Sequence, residues 1–388
     1  MAWNWCVNLA KYCELFIITE EEFRDKIEAV VPTLPQGKNM HFYFNPVTPE
    51  VRKMCWNQGD WRFYWHYRQW QKRTLEIAKQ ICADQKIDII HQLNMIGFRE
   101  PGLLWKIDGP KFVWGPVGGM ETMPIAYLND AGFKSKLFNL IKNTVNALQY
   151  KLQPNFHKAL SRADVLIAAT RGCQEIIQQY YKADVRLINE TGCYLQDSIN
   201  KTTPNRYQFN ILWCGKFDFR KRLDIAIRTI ASLRDLKVKL HVAGMGDMDK
   251  YKGLARDCGV ENNVIFHGQV NHEEINILMQ QSDVFLFTSI MDATSTVVME
   301  AIQNLLPVVC FDTCGFGTVV DETIGVKIPL SNPVQSVDDF ADAIRALYSD
   351  REKLQRLSKN CRERIKLFEW DYKAKMMLEI YKECINEK

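Results

Sequence analysis

The chain has no apolar run long enough to cross a bilayer as a helix, which argues against a helical span within it. Its first residues, MAWNWCVNLAKYC, lack the basic segment and cleavage site of a secretory signal. Its 12 cysteines include no CxxC pair, and Cys310 and Cys314 are the most closely spaced. Several, such as Cys214 and Cys310, lie in apolar runs. Reduced core thiols of a cytoplasmic protein are therefore expected, and a zinc site is not. Charge of one sign is also scarce. With 50 basic and 46 acidic residues the net charge is +4, too small to indicate nucleic acid. Internal repeats and low-complexity stretches are lacking too.

What is present is an alternation. At 388 residues, 47% apolar and 25% charged, the chain has the length for two domains and an ordinary globular composition. Strand-like runs alternate with helical ones: ELFIIT, MHFYFN, DIIHQL, KFVWG, DVLIAA and VRLIN, then ILWCG, KLHVAG, VIFHG, DVFLF, PVVCF and VKIPL. Such alternation predicts an α/β fold with parallel sheets covered by helices. The polar segment Gln196 to Tyr207 has no apolar periodicity and is the expected linker. It divides the chain into 1–205, 206–365 and a terminal helical segment, 366–388.

Two elements carry chemistry. In DVFLFTSIMDATSTVVMEAIQNLLP, a buried strand run ends in a polar loop holding Asp292, and Glu300 follows eight positions later on a helix. A strand feeding a helix start presents free N–H groups and a positive dipole end, which suits phosphate and hydroxyl-rich ligands. Solvated loop charges would account for the same acid pair about as well. Upstream, FNILWCGKFDFRKRLDIAIRTI places Lys216, Arg220, Lys221 and Arg222 between a strand and a helix. Cations there can neutralise a diphosphate.

In this order and about 80 residues apart, the two elements resemble the nucleotide-sugar half of glycosyltransferase family 4. Further matches are Gly215-Lys216 and Lys221-Arg222, Gly244-Met245-Gly246 after a strand, and VIFHGQV ending at Val270. The last is the acid-x7-acid signature from Asp292 to Glu300. The resemblance covers Phe209 to about Leu330 well and the rest weakly. It implies a GT-B fold, with two Rossmann-like domains facing a cleft and a C-terminal helix crossing back to the first. It also implies retaining sugar transfer from a nucleotide-diphosphate donor, with no further cofactor. By the same resemblance Lys216 and Lys221 stabilise the departing diphosphate, Asp292 holds the sugar or its phosphate, and Glu300 holds the ribose. Gly215, Gly244, Gly246, Val270, Ser295 and Thr296 complete the donor pocket. Asp247-Met248-Asp249 has the spacing of a metal-binding DxD. The family template holds no metal there, and none is expected.

The departures bear on the donor. Asp292 stands where the family usually has Glu, Ala293 and Ser295 replace glycines, and Lys216 replaces an Arg, keeping charge but losing its fork. The chain also opens on a helix where the resemblance would put a strand and Gly-rich turn. One such unit is therefore expected to be missing from the centre of the first sheet. In the N-terminal half, His91 ends the run DIIHQLN and is a candidate for the cleft or for a structural hydrogen bond. VWGPVGGMETMP puts glycines and Glu121 after another strand, as a tight turn or a ligand edge. Two segments bear on the acceptor, expected to be a glycan or lipid-linked. Cys55 to Arg73 interleaves aromatics with cations, and Phe133 to Lys151 has apolar residues at helical spacing among lysines. Either packs against the core or meets a membrane, which would add the inner membrane face to the expected cytoplasmic location. Rival readings are a phosphorylase or epimerase on the same fold, and a non-catalytic sugar-binding subunit.

Overall fold

The computed structural model describes residues 1–56, 60–93, 95–130, 132–195 and 208–386. The linker expected at 196–207 lies outside them. Twelve strands form at the twelve apolar runs. They are β1 (Leu15–Glu20), β2 (Met40–Asn45), β3 (Ile89–Gln92), β4 (Lys111–Val117), β5 (Val165–Ala168) and β6 (Val185–Leu187). After residue 207 come β7 (Phe209–Cys214), β8 (Val238–Ala243), β9 (Val264–Gly268), β10 (Val284–Phe287), β11 (Val308–Phe311) and β12 (Gly325–Ile328). Every pairing among them is parallel. Continuous apolar runs such as VFLF and VVCF are buried along their whole length, as strands covered on both faces must be.

The C-terminal sheet has the order β12-β11-β10-β7-β8-β9, so chain direction across the sheet reverses between β7 and β10. Ligands of open α/β sheets bind beyond the strand ends at that reversal. The N-terminal strands lie in two pieces, β1-β2 and β3-β4-β5-β6, with no pairing between β1 and β3 among the described residues. The expected returning helix is present as Trp370–Asn386. Its Ala374, Met377 and Ile380 share a buried cluster with Val113, Ile167, Trp5 and Leu9 from the N-terminal half. Trp370 meets Trp5 edge-on, with ring centroids 5.5 Å apart. None of the 12 cysteines is in a disulfide.

Candidate active site at the crossover of the C-terminal sheet

The loops that follow β7 and β10 meet at the reversal point. Asp218 accepts from the backbone N–H groups of Arg220 and Lys221, shaping a single turn before the helix Leu223–Ala231. Thr288, just past β10, places its hydroxyl 2.8 and 2.9 Å from the carbonyl oxygens of Lys221 and Arg222 and accepts from the Trp213 indole. Ile290 N–H donates to the Arg220 carbonyl at 2.9 Å. Stitched in this way, the two loops bring Lys221 Nζ to 2.5 Å from Asp292 Oδ2, with the ammonium also over the Phe287 ring. The other cations of the turn separate. Lys216 and Arg220 are exposed, and Arg220 pairs with Asp218. Arg222 is buried, with its fork on Asp224 and an N–H toward the Tyr127 carbonyl.

The Asp292 loop is held from the N-terminal half. Thr294 donates from its backbone N–H and its hydroxyl to the two oxygens of Glu190, at 2.8 and 3.0 Å, and accepts from Asn189 Nδ2 at 2.9 Å. Lys373, on the returning helix, donates to the Asn189 carbonyl at 2.6 Å. Burial pulls its ammonium down to about 7, against the opposing pull of Glu190. Asp292 N–H points to the Cys314 thiol. Ser295 begins the helix Thr296–Gln303 without a side-chain bond to it, and Thr296 is exposed. Glu300 is half-buried on that helix, and burial raises its carboxyl, with His272 acting the other way.

The glycines explain how closely the loops pack. Gly244 and Gly246 have φ of 148° and 150°, and a Cβ on either would overlap the Gly215 carbonyl or Phe217. Both restrictions fall on the loop after β8, which lies against the loop after β7 through Phe217 N–H to Met245 O at 2.8 Å. Gly215 has ordinary room around it. Val270 packs against the core beside β9, just before the cap of the helix His272–Gln281. Asp247 caps the helix Met248–Asp257 through Lys250 N–H, a structural use for half of the DxD spacing. Gly244→Ala should cost about 1–3 kcal/mol of stability, because both its φ and its space are unsuitable for a side chain. A urea midpoint equal to wild type would contradict that packing.

His91 sits elsewhere. Its Nδ1 is 2.6 Å from the Tyr381 hydroxyl and its Nε2 2.7 Å from the Gly115 carbonyl, so both ring nitrogens are in use. Burial pushes it down to about 4, leaving a neutral ring that joins β3 and β4 to the returning helix. Of the two readings offered by the sequence, the structural hydrogen bond is the one this geometry matches. Glu121 is the more notable group of the N-terminal half. Its side chain lies against Gly172 at the start of the helix Arg171–Tyr181. Burial raises it to about 7, the Thr170 hydrogen bond opposes this, and Glu175 and Glu190 add to it. Sequence reasoning left Glu121 without a role and missed Asn189, Glu190 and Lys373. Asn189 and Glu190 follow β6 as LINETG, the same strand-end position that marked Asp292. Lys373 gives no such signal, since its partners are 184 residues away.

Residues 196–364 match the family model for glycosyl transferases group 1. The matched region is a glycosyltransferase group 1 domain. Lys216, Lys221, the glycines, Asp292 and Glu300 all lie inside this group 1 domain. Glu190, which holds Thr294 inside it, lies outside, as do Glu121 and Lys373. The chain is 26% identical over 247 residues to the D-inositol 3-phosphate glycosyltransferase of Xylanimonas cellulosilytica, covering 58% of each chain. It is 32% identical over 126 residues to the lipopolysaccharide glucosyltransferase WaaG of Escherichia coli, covering 31% of this chain and 33% of that one. The chain thus spans between a third and three-fifths of the length of these curated relatives. In structure, it is similar to a glycosyltransferase from Rickettsia africae (TM-score 0.59, 15% identity, 96% of this chain and 98% of that one). It is also similar to the lipopolysaccharide outer core galactosyltransferase WaaB (TM-score 0.58, 14% identity, 95% and 99%). The parallel α/β halves before and after the segment 196–207 have the GT-B fold of these neighbours.

Proposed function

We propose that the chain transfers a sugar from a nucleotide-diphosphate donor to a hydroxyl acceptor with retention at the anomeric carbon, in the manner of glycosyltransferase family 4. The observation that carries this reading is the Lys221–Asp292 pair across the reversal point of the C-terminal sheet. A diphosphate entering there competes with Asp292 for the Lys221 ammonium. The carboxylate is then released toward the sugar hydroxyls, and the ammonium meets the phosphate charge that grows as the glycosidic bond breaks. Lys216, exposed on the same loop, adds a second positive charge. Glu300 accepts from the ribose, and the turns at Gly215, Gly244, Gly246 and Val270 shape the base and ribose side. Ser295 and Thr296 present the uncapped helix start. The leaving phosphate takes the acceptor proton on the same face, so the scheme needs neither a side-chain nucleophile nor a cofactor.

The segment 206–365 then serves the donor, 1–205 the acceptor, and 366–388 ties the two. Relatives named for lipopolysaccharide and inositol-phosphate glycosylation support a glycan or lipid-linked acceptor. Twelve cysteines, none in a disulfide, and a nucleotide-sugar donor suit the cytoplasm. The test is a scan of purified chain against nucleotide sugars differing in base and sugar, following nucleotide release and product anomer by NMR. Donor-dependent transfer with an unchanged anomer is expected. Nucleotide release that never needs an acceptor and yields an altered sugar would replace the reading with an epimerase. Binding without any turnover would make the chain a sugar-binding subunit.

A further inference from the structure

The helix Phe133–Leu152 turns most of its large apolar side chains outward. Its inward side mixes Asn143, Asn146 and Gln149 with the buried Tyr150 and the half-buried Leu140 and Ala147. Asn143 bonds the backbone of Met123 in both directions, and Asn146 donates to the Met120 and Glu121 carbonyls. Asn146 and Gln149 both accept from Arg99. The outward side carries the apolar residues: Phe133, Leu137, Phe138, Ile141, Leu148 and Leu152, all exposed, with Phe133 at 81%. Spacing of mostly three or four places them in one stripe along some 30 Å of helix. A globular surface helix has the opposite arrangement.

Charge says what covers the stripe. The helix has four lysines, Lys134, Lys136, Lys142 and Lys151, and no Asp or Glu. Lys142 and Lys151 border the stripe and Lys134 lies within it, where long stems allow the ammonium groups to rise to headgroup level. Trp61, Tyr64 and Trp65, on the helix Trp61–Asp84, are exposed as well. Such rings favour the membrane–water boundary. A second copy of the chain would set these lysines against one another, and the helix carries no Asp or Glu to offset them.

We propose that this face docks on an anionic bilayer, with the helix lying in the interface plane. The inference rests on the reading of the chain as a sugar transferase and names the place of its acceptor, a hydroxyl presented at a lipid surface. The position suits that role. The helix follows the turn Ile125–Asp130, whose Tyr127 meets Ser336 of the C-terminal half at 2.6 Å and accepts from Arg222, next to Lys221.

The test is co-sedimentation of the full chain with phosphatidylcholine vesicles with and without phosphatidylglycerol, at low and physiological salt. The intact chain is expected to bind the anionic vesicles, more tightly at low salt. Lys134→Gln with Lys142→Gln should weaken low-salt binding about thirtyfold. Ile141→Ser with Leu148→Ser should weaken it at least tenfold at both salts. All four residues are on the surface, so thermal melts should stay near wild type. No vesicle binding by the intact chain, or binding as tight as wild type by both double variants, overturns the proposal. So does a concentration-dependent dimer that the serine variant abolishes while vesicle binding persists. Because the readout is binding, loss of sugar transfer with vesicle binding intact would count against the proposed function alone.

Discussion

Lys221→Ala is expected to lower kcat/KM for the nucleotide-sugar donor about hundredfold, the size of effect seen when one preorganised charge is removed from a developing anion. Two consequences of the substitution act together. The ammonium is lost from the place where the diphosphate would gain charge, and Asp292, 2.5 Å from it in this structure, is left without its partner. Asp292→Asn should behave differently. If its contact with the sugar strengthens as the bond breaks, kcat falls while donor KM changes little. A double-mutant cycle over the two positions should show strong coupling, because each substitution alters the environment of the other. Steady-state kinetics on a turning-over donor decide the matter. Wild-type constants in both single variants would remove this pair from the site.

Glu190→Ala is expected to destabilise the protein by about 3–5 kcal/mol, the cost of breaking a buried charged cluster from one side. Glu190 is buried and accepts both the N–H and the hydroxyl of Thr294. It also acts on the charge of Lys373, which is buried on the returning helix. Alanine leaves two donors without an acceptor and an ammonium without compensation, at the point where three segments of the chain meet. Glu190→Gln keeps an acceptor but not the charge, and should cost less. Urea midpoints read the difference, and donor kinetics on the surviving fold read its effect on the Asp292 loop. A Glu190→Ala midpoint within error of wild type would show that the cluster is not holding the halves together.

The strands were legible because period and composition are local properties. All twelve apolar runs became parallel strands, and the loops with Lys221 and Asp292 came together at the reversal point. A buried parallel strand has to be apolar on both faces, so it announces itself within five residues. Other side chains could not be placed from sequence, for the converse reason. His91 follows a strand as a ligand-facing residue would, yet its ring is taken by Tyr381, 290 positions later. Lys373 reads as one more lysine on an amphipathic helix until Asn189 and Glu190 are beside it.

The helix Phe133–Leu152 marks the limit most sharply. Its apolar period was plain in sequence, and a core-facing helix and a bilayer-facing helix share that period. Only the tertiary structure decided which side turns inward, because Asn143, Asn146 and Gln149 meet backbone and Arg99 groups that come from elsewhere in the chain. By itself the sequence determined the α/β class, the order of the strands along the chain and the charged residues carried by the two loops, each a matter of neighbouring residues. Which cation of the turn faces the acid, which histidine is spent on packing and which helix face meets water were decided by contacts between distant segments. Those contacts depend on where the chain returns in space, and residue spacing carries no record of that.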